Sequence, residues 1–375
     1  GGIIAEYEAS HPNTKIEWVD VPGADVTKKV ITSLSSNDVP DVINETILGY
    51  ATLKSYDVIL PLSDYADASA FEPYIEGLIE PLTEGGKVMA IPWYSGGPFV
   101  GYINTEIYEK AGLDVNNPPR TIDELLENGR IIHEKVPGVY GSNDFPYIWY
   151  MEAEGLPIVS EDGKKAVFNS DEHVKFIQKF VDAYKNGSLA PGCIGKDDRN
   201  YQQKFNEGQT GQWGAWFAHD INNWQQNNPE IMDKIKVIPG IEGKKGPVPM
   251  KDIQLFFVPK RSEFPKEAVD LALFVTNEKN QLEFCKLVAI FGSVKGILDD
   301  PFFKEIPDDT LQNQARKIMV ENAAKLSLNK VATLADSQQL MEIYNEEVRA
   351  AMTGAKSVKE ALDAAVAAWE PILNK

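Results

Sequence analysis

Apolar residues alternate between strand-like and helix-like spacing over the first part of the chain. Residues 15–21 and 41–44 are short runs rich in β-branched and aromatic residues, which predict strands. Between them the apolar positions repeat every three to four residues, as in a helix: Val26, Val30, Ile31 and Leu34. The opening residues predict a further helix. Strand, helix and strand at these intervals favour a parallel sheet with crossover helices.

An aromatic and glycine-rich stretch, residues 86–126, stands at the centre of the predicted arrangement. A short strand over residues 88–91 is predicted to stop at Pro92, because proline donates no hydrogen bond to a sheet ladder. The bulky pair Trp93 and Tyr94 follows directly. Aromatic side chains at a strand end, beside a bend in the chain, predict either a ligand site or a hinge.

The same stretch continues with a predicted strand over residues 99–103 and a helix from Thr105. Gly112 is the predicted stop of that helix, because glycine readily takes the left-handed backbone conformation that ends helices. The next helix is predicted to begin after Thr121, with Glu124 three residues later as its partner in a capping box. These local signals predict the residues at which the two helices end and begin.

The later part of the chain alternates predicted strands with longer helices. Strands are predicted over residues 235–238 and 255–258, on either side of a loop rich in glycine, proline and lysine. Helices are predicted over residues 265–276 and 280–291. Most of the sequence after Thr310 also has helical spacing. The chain shows no internal repeat and no low-complexity tail.

Length and charge narrow the class of protein. The chain has 375 residues, which is long for one hydrophobic core and predicts two domains. Its formal net charge of −19 and sequence pI of about 4.7 argue against nucleic-acid binding, which needs a basic surface against phosphate. An anionic membrane surface would repel the chain as well. No long apolar run occurs, so no membrane-spanning segment is predicted.

The sequence contains none of the common catalytic and metal-binding motifs. There is no Walker loop, no G-x-G-x-x-G, no G-x-S-x-G elbow and no H-E-x-x-H. No metal or other cofactor is predicted, because the histidines lack metal-ligand spacing: His11, His133, His173 and His219. Cys193 and Cys285 are expected to be two separate thiols, although a disulfide between them stays open.

Aromatic residues are unusually frequent at predicted loop positions, and the chain holds seven tryptophans. A sugar ring has apolar C–H faces and a rim of hydroxyls, so it suits a flat aromatic side chain flanked by polar groups. Trp18 and Trp369 are assigned to the hydrophobic core. Trp224 lies in a predicted helix. The other tryptophans sit in two groups of aromatic residues: Trp93 beside Tyr94, and a later set comprising Tyr140, Phe145, Tyr147, Trp149, Tyr150, Trp213, Trp216 and Phe217.

Short motifs in a fixed order resemble the family-1 extracellular solute-binding proteins of bacterial ABC transporters, the maltose-binding-protein-like group. Residues 86–126 hold the most recognisable ones: A-I-P-W, Y-I-N, E-K-A-G-L and P-P-R-T-I-D-E-L. Upstream, residues 13–19 and 40–43 resemble the opening of that family. Downstream, residues 205–208 match its F-x-x-G turn and residues 238–240 its P-G loop. The resemblance covers nearly the whole chain.

The resemblance implies a type II periplasmic-binding-protein fold. This is an α/β architecture of two lobes with mixed sheets, joined by a three-segment hinge, with the ligand in the cleft. The hinge crossings are expected near Asn104, Asp252 and Gly296. The expected N-terminal lobe is residues 1–104 and 253–296, and the expected C-terminal lobe is residues 105–252 and 297–375.

The resemblance also implies which residues contact the ligand. Some candidates follow the end of a strand, the I-P motif or the F-x-x-G turn. Others lie in the aromatic segment of the second lobe or directly before the second hinge crossing. They are Asn44, Glu45, Trp93, Tyr94, Tyr147, Trp149, Tyr150, Trp216, Phe217, His219, Lys251 and Asp252.

The chain departs from the family pattern in two places. The family usually has an A-M-x-x-x-G-x-W strand, whereas residues 211–218 read G-Q-W-G-A-W-F-A, which leaves open whether Trp213 or Trp216 faces the cleft. The family also begins with a strand before its first helix, whereas this chain starts inside that helix. Residues that precede Gly1 are therefore expected.

The resemblance predicts a receptor that captures a sugar or oligosaccharide and delivers it by hinged closure. It would be a monomer outside the cytoplasm, tethered by a lipid anchor, and its partners would be the membrane subunits of an ABC transporter. Two alternatives stay open. The same fold would bind a non-sugar solute such as a polyamine through carboxylates, and a secreted carbohydrate-active enzyme would need two carboxyls facing one another.

Overall fold

The computed structural model describes residues 2–21, 23–34, 39–195, 203–250, 252–287 and 290–374. The chain divides into two compact units. Unit 1 comprises Gly1–Gly97, Lys251–Lys304 and Ala332–Ser337, and unit 2 comprises Pro98–Met250, Glu305–Val331 and Gln338–Lys375. The predicted lobe boundaries and hinge crossings stay predictions, because compactness alone does not show where a chain bends.

Helices occur in both units, and no helix in the described ranges is long and apolar enough to cross a membrane. In chain order they are α1 Gly2–Ser10, α2 Gly23–Ser33, α3 Ile47–Lys54, α4 Glu76–Ile79, α5 Thr105–Ala111, α6 Ile122–Lys135, α7 Ile148–Ala153, α8 Asp171–Lys185, α9 Asp220–Asn227, α10 Pro265–Val275, α11 Glu278–Leu287, α12 Pro301–Lys304, α13 Leu311–Asn322, α14 Ser337–Met352 and α15 Val358–Leu373.

The strands are short and form one four-stranded sheet in each unit, with small hairpins beside them. In chain order they are β1 Ile43–Thr46, β2 Thr83–Glu84, β3 Lys87–Val88, β4 Ile91–Ser95, β5 Val100–Asn104, β6 Tyr140–Ser142, β7 Thr210–Trp216, β8 Ile235–Pro239, β9 Glu242–Gly243, β10 Gly246–Pro247, β11 Gln254–Phe257 and β12 Phe291–Gly292.

The sheet of unit 1 has the strand order β1-β11-β4-β12, and every neighbouring pair is antiparallel. The prediction of a parallel sheet in this part of the chain was therefore wrong for the described strands. The antiparallel arrangement arises because β1 pairs with β11, a strand that comes more than two hundred residues later. Short-range spacing carries no information about so distant a partner. Leu62, Ile91 and Val258 belong to the core packed on this sheet.

Strand β4 runs through Pro92, so the prediction that the strand ends there was wrong. The register against β11 shifts by one residue at this point, since Leu255 faces Pro92 and Gln254 faces Tyr94. This irregularity leaves Trp93 without a partner in the register, and a local bulge is one of the ways a sheet accommodates proline. On the other side, the hydroxyl of Ser293 donates to the carbonyl oxygen of Pro92 at 2.6 Å.

Residues 15–21 form no strand among the described residues, contrary to prediction. Trp18 is 62% exposed and Val19 is 58% exposed, so the assignment of Trp18 to the core was wrong as well. Apolar residues in a strand are buried only when a neighbouring strand and a packed layer cover them, and no strand among the described residues pairs with this segment. Trp369, by contrast, is fully buried as predicted.

The sheet of unit 2 has the order β6-β7-β5-β8 and is mixed. Strands β6 and β7 are parallel, whereas β5 is antiparallel to both β7 and β8. All residues of β5 and β7 are buried, because helices cover the sheet. Ile103, Ile107 and Ile132 lie in the core between this sheet and helices α5 and α6.

The local signals for the ends of helices are confirmed. The Thr121 side chain accepts from the Glu124 backbone N–H, and the Glu124 side chain accepts from the Thr121 N–H, which completes the predicted capping box of α6. Gly112 ends α5 with a φ of 74°, a left-handed conformation that favours glycine. Cys193 and Cys285 are buried free thiols, not a disulfide.

Candidate functional site

Four candidate residues of unit 1 lie on two strands of its sheet. Asn44 and Glu45 are on β1, and Trp93 and Tyr94 are on β4. Strand β11 lies between them, with Phe256 opposite Asn44. The sheet therefore brings four of the predicted residues to one part of unit 1.

Trp93 stands at the centre of a group of four rings, the Trp93 cluster: Trp93, Tyr94, Phe256 and Phe284. The Trp93 ring lies 5.0 Å from that of Phe284 at an interplanar angle of 11°, a stacked pair. Tyr94 meets Trp93 edge to face at 4.8 Å. Trp93 is half-buried, and its indole N–H finds no hydrogen-bond partner among the described residues. That N–H group is itself buried, so Trp93 offers a ligand apolar ring surface and not a donor.

Tyr94 is half-buried on the same strand, close to Asp252. Burial raises the pKa of the Tyr94 hydroxyl, and the negative charge of Asp252 raises it further. Tyr94 therefore stays a neutral hydroxyl at physiological pH, able both to donate and to accept a hydrogen bond. Such a group suits the hydroxyl rim of a sugar.

The two polar candidates on β1 are engaged inside unit 1. Glu45 is 4% exposed, and its carboxylate accepts hydrogen bonds from the Thr27 hydroxyl and the Thr46 backbone N–H, each at 2.8 Å. Gly49 makes room for it, because a Cβ at that position would lie 2.3 Å from Glu45 Cδ. The Asn44 side-chain amide donates to the carbonyl oxygen of Leu255 at 2.9 Å. The hydrogen bonds of the Glu45 carboxylate therefore stabilise the fold of unit 1.

In unit 2, Tyr147 and Trp149 form a stacked pair at the start of α7. Their ring centroids are 4.4 Å apart and their planes differ by 10°. Trp149 is 7% exposed, whereas Tyr147 is half-buried. Phe145 packs edge to face against Tyr147 at 4.9 Å. Tyr147 thus presents the accessible surface of this pair.

Tyr150, the third candidate on this segment, is buried and donates to the Asp144 carboxylate at 2.8 Å. Burial raises the pKa of its hydroxyl well above the ordinary value, and the neighbouring Asp144 adds to the rise. The hydroxyl of Tyr150 is committed to an internal partner. Its side chain belongs to the framework of unit 2.

The candidates that follow β7 differ in exposure. Trp216 is 8% exposed, stacks on Trp213 at 4.2 Å and donates through its indole N–H to Asp220 at 2.5 Å. Phe217 is half-buried and its ring lies 5.1 Å from that of His219, which is exposed. The accessible end of this segment is therefore Phe217 and His219, since both tryptophans are buried.

The structure thus separates the candidates into two classes. Those with accessible surface are Asn44, Trp93, Tyr94, Tyr147, Phe217, His219 and Asp252, and those that are buried are Glu45, Trp149, Tyr150 and Trp216. Lys251 lies outside the described residues. The role of each in ligand binding stays a prediction.

The sequence-based selection did not include Phe284 or Asp144. Phe284 covers one face of Trp93, and Asp144 bonds Tyr150. A signal existed for Asp144, because it stands in a polar S-N-D run directly before the aromatic segment. No comparable local signal marks Phe284, which sits in an ordinary helical pattern.

A separate depression of about 290 Å³ lies in unit 2, lined by Asn104, Glu106, Ile107, Lys110, Val136, Val139, Glu207, Gly208, Asn228, Glu230, Ile231 and Lys234. Both lysines of the lining pair with Glu106, which lies 2.6 Å from Lys110 and 3.1 Å from Lys234. No aromatic residue lines it, so it offers no face for stacking a sugar ring. Among the described residues, no group of three His, Cys, Asp or Glu side chains is placed to hold a metal ion.

Residues 2–282 match the model of a protein family described as bacterial extracellular solute-binding protein. Among individual proteins, the chain is similar to the sn-glycerol-3-phosphate-binding periplasmic protein UgpB of Escherichia coli strain K12. The two are 24% identical over 379 residues, which cover 92% of this chain and 82% of UgpB.

Solved structures share the fold over the whole chain. A periplasmic-binding protein from Synechococcus sp. MITs9220 superposes with a TM-score of 0.86 at 22% identity, covering 100% of this chain and 94% of that one. The cyclic alpha-maltosyl-1,6-maltose binding protein from Arthrobacter globiformis gives a TM-score of 0.79 at 20% identity, covering 99% and 94%. These likenesses confirm the predicted α/β fold of the periplasmic binding proteins.

Proposed function

Since this chain belongs to the bacterial extracellular solute-binding proteins, we propose that it is the receptor of an ABC importer and that its ligand is a sugar or oligosaccharide. It binds this ligand without turning it over, outside the cytoplasm, as a lipid-tethered monomer. The membrane subunits of the transporter receive the ligand from it.

The observation that carries the proposal is the pairing of accessible aromatic rings with neutral polar groups. Trp93 and Tyr94 supply this in unit 1, and Tyr147 supplies it in unit 2. Aromatic faces pack against the C–H faces of sugars, while the tyrosine hydroxyls meet the sugar hydroxyls. The Arthrobacter globiformis protein of similar fold is by its name a maltosyl-maltose binder, which supports the same class of ligand.

The hinged closure implied by the family resemblance belongs to the same proposal. A ligand that gains contacts only in a closed state shifts the population toward that state by its difference in affinity for the two states. Micromolar affinity needs about 8 kcal/mol in total. A few stacked rings with a hydrogen-bonded rim are of the right size to provide it.

A second candidate ligand is sn-glycerol 3-phosphate, which the name of UgpB favours. A phosphate needs cationic or N–H donors, and the formal net charge of −19 opposes an anion at long range. A polyamine would need free carboxylates, whereas Glu45 is already bonded to Thr27 and Thr46. Asp252 is the one carboxylate among the seven accessible candidates, and five of the others are uncharged side chains: Asn44, Trp93, Tyr94, Tyr147 and Phe217. Neutral sugars therefore fit this set better than either charged class.

The proposal is tested by a thermal-shift panel of mono- and oligosaccharides, with sn-glycerol 3-phosphate and spermidine in the same plate. A ligand at 100 times its dissociation constant stabilises the folded state by about 2.7 kcal/mol, which is easily detected. A rise in melting temperature with a carbohydrate supports the proposal. A rise with only the phosphate or only the polyamine overturns the sugar assignment.

A further inference from the structure

Asp144 is a fully buried carboxylate in the segment that joins β6 to α7. Its Oδ2 atom accepts hydrogen bonds from the Ser142 hydroxyl and from the Gly214 backbone N–H, the latter at 2.9 Å. Its Oδ1 atom accepts from the Tyr150 hydroxyl at 2.8 Å. Burying a carboxylate is costly unless donors replace the lost water, and here three separate elements supply them.

The Gly214 N–H lies just beyond the end of the β6–β7 ladder. The last pair of that ladder is Ser142 opposite Gln212, and Asp144 and Gly214 each follow it by two residues. The carboxylate of Asp144 therefore accepts the Gly214 N–H where strand β6 has ended.

Two of the donors to Asp144 belong to the two aromatic segments of unit 2. Tyr150 directly follows Trp149 on α7, and Gly214 directly follows Trp213 on β7. Gly214 itself is closely packed, because a Cβ there would lie 2.7 Å from Leu125 Cδ2. A single carboxylate therefore connects the segment that carries Tyr147 with the segment that ends in Phe217.

We propose that Asp144 is a positioning residue, whose carboxylate holds the segments 145–153 and 210–217 in one arrangement and thereby sets the ring positions of Tyr147 and Phe217. It does not touch the ligand. The consequence for sugar affinity rests on the proposed function, whereas the consequence for the two segments does not.

The electrostatics agree with this role. Burial raises the pKa of Asp144, while the hydrogen bonds from Ser142, Gly214 and Tyr150 oppose the rise because they stabilise the charged form. An amide in place of the carboxylate brings two N–H donors toward groups that already donate. The Gly214 N–H cannot rotate to become an acceptor, whereas the two hydroxyls can.

Three variants separate positioning from general stability. Asp144→Asn perturbs the contacts to both segments, and Tyr150→Phe removes only the donor on α7. Trp369→Phe is the control, because it removes a buried hydrogen bond of 2.9 Å to Leu340 in the same unit without touching either segment. Amide hydrogen exchange, read by mass spectrometry, reports local opening of each segment in the apo protein.

The expected result for Asp144→Asn is exchange at least about fivefold faster in both segments, at a temperature where the variant is fully folded. Tyr150→Phe should accelerate exchange in residues 147–153 and leave residues 210–217 within twofold of wild type. Trp369→Phe should change neither segment. Exchange in Asp144→Asn that rises uniformly across unit 2, or that matches the Trp369→Phe pattern, overturns the proposal.

A second measurement links the proposal to binding. If the wild type binds a carbohydrate, the affinities of Asp144→Asn and Trp369→Phe are compared after allowing for any difference in their melting temperatures. For the same loss of melting temperature, the affinity of Asp144→Asn should fall at least about fivefold further than that of Trp369→Phe. Equal weakening in the two variants contradicts the positioning role. If the wild type binds no carbohydrate, the proposed function fails, and the exchange pattern alone still decides whether Asp144 holds the two segments.

Discussion

The indole ring of Trp93 lies parallel to the phenyl ring of Phe284, with 5.0 Å between their centroids and 11° between their planes. One face of Trp93 is therefore covered by a side chain of unit 1. Tyr94 and Phe256 also contact the indole ring, at 4.8 Å and 5.0 Å between centroids, so a ligand can meet only the surface that these three side chains leave uncovered. These contacts also explain how a large ring on an irregular strand is held in one orientation.

Replacing Phe284 by alanine should destabilise unit 1 by about 1–2 kcal/mol, because a half-buried ring and its stacking contact are lost. The released Trp93 should also become more mobile and more accessible. Urea unfolding gives the change in stability, and quenching of tryptophan fluorescence by acrylamide gives the change in access.

Leu287→Ala on the same helix is the matched control. Leu287 is 84% exposed, so its truncation should change the free energy of unfolding by less than about 0.5 kcal/mol. Similar losses in the two variants would show that the Trp93–Phe284 contact contributes nothing beyond the general effect of shortening a side chain in α11.

Glu152 on α7 should make the protein less stable as the pH rises. Burial raises the pKa of its carboxyl to about 7, and the backbone N–H of Lys330, at 3.0 Å, opposes the rise only in part. The folded state therefore holds the proton more tightly than the unfolded state, whose pKa is 4.5. Its favourable contribution is complete below about pH 4.5 and is lost as the pH rises through about 7.

The measurement is the free energy of unfolding between about pH 5 and about pH 8 for wild type and Glu152→Gln. The difference between the two should change by on the order of 1 kcal/mol or more across that range, with the variant gaining relative to wild type at high pH. Met151→Leu, at a buried neighbour that does not titrate, should leave the slope unchanged. A constant difference between wild type and Glu152→Gln refutes the assignment.

His173 should act in the opposite direction, on the acid side. It is buried on α8, with Nδ1 at 2.7 Å from the Ser170 hydroxyl and Nε2 at 2.9 Å from the Pro157 carbonyl oxygen. A carbonyl can only accept, so Nε2 carries the proton and Nδ1 accepts from Ser170. Burial lowers the pKa of the ring below its ordinary value of 6.5, because the charged form is poorly solvated there.

Because the folded-state pKa of His173 is depressed, the unfolded state binds the proton first. Stability from this group is present above about pH 6.5 and falls as the pH decreases through that value. His173→Gln should remove this fall, which thermal unfolding in steps from about pH 7 to about pH 5 would reveal. A wild type and a variant that lose stability in parallel over that range would contradict the expectation.

Features whose partners lie close in the sequence could be predicted well. The capping box of Thr121 and Glu124 spans three residues, and the left-handed stop at Gly112 depends on that residue alone. Both signals are complete within one turn of helix, so the sequence contains everything that decides them. The helix predicted over residues 280–291 lacks such a signal at its end; it is observed as Glu278–Leu287, and Phe291 belongs to β12 instead.

Features with distant partners could not be predicted from spacing. The direction of β1 is set by β11, and the bulge at Trp93 is set by the ladder on both sides of β4. Trp18 has the pattern of a core residue but is exposed, because no described strand pairs with its segment. The local pattern shows which residues are apolar enough to be buried. Whether they are buried depends on the pairing of their strand with others.

The same limit applies to the candidate site. Aromatic excess and family resemblance selected Tyr147 and Tyr150 alike, yet Tyr150 is committed to Asp144 while Tyr147 keeps accessible surface. Glu45 was selected as a polar contact, but Thr27 and Thr46 already occupy its carboxylate. Composition indicates which segment of the chain holds candidate ligand-binding residues. The internal hydrogen bonds of each side chain then decide whether it can contact a ligand.

In the proposed function, Trp93 and Tyr147 both bind the carbohydrate. Calorimetric titration of the best sugar from the thermal-shift panel into wild type, Trp93→Ala, Tyr147→Ala and the core control Trp224→Phe measures what each of the two rings contributes. We expect saturable binding to wild type and to the control, and at least about tenfold weaker binding, roughly 1.4 kcal/mol, for each of the two alanine variants. Unchanged affinity in both alanine variants, or no binding of any carbohydrate to wild type, would overturn the proposed role of these rings.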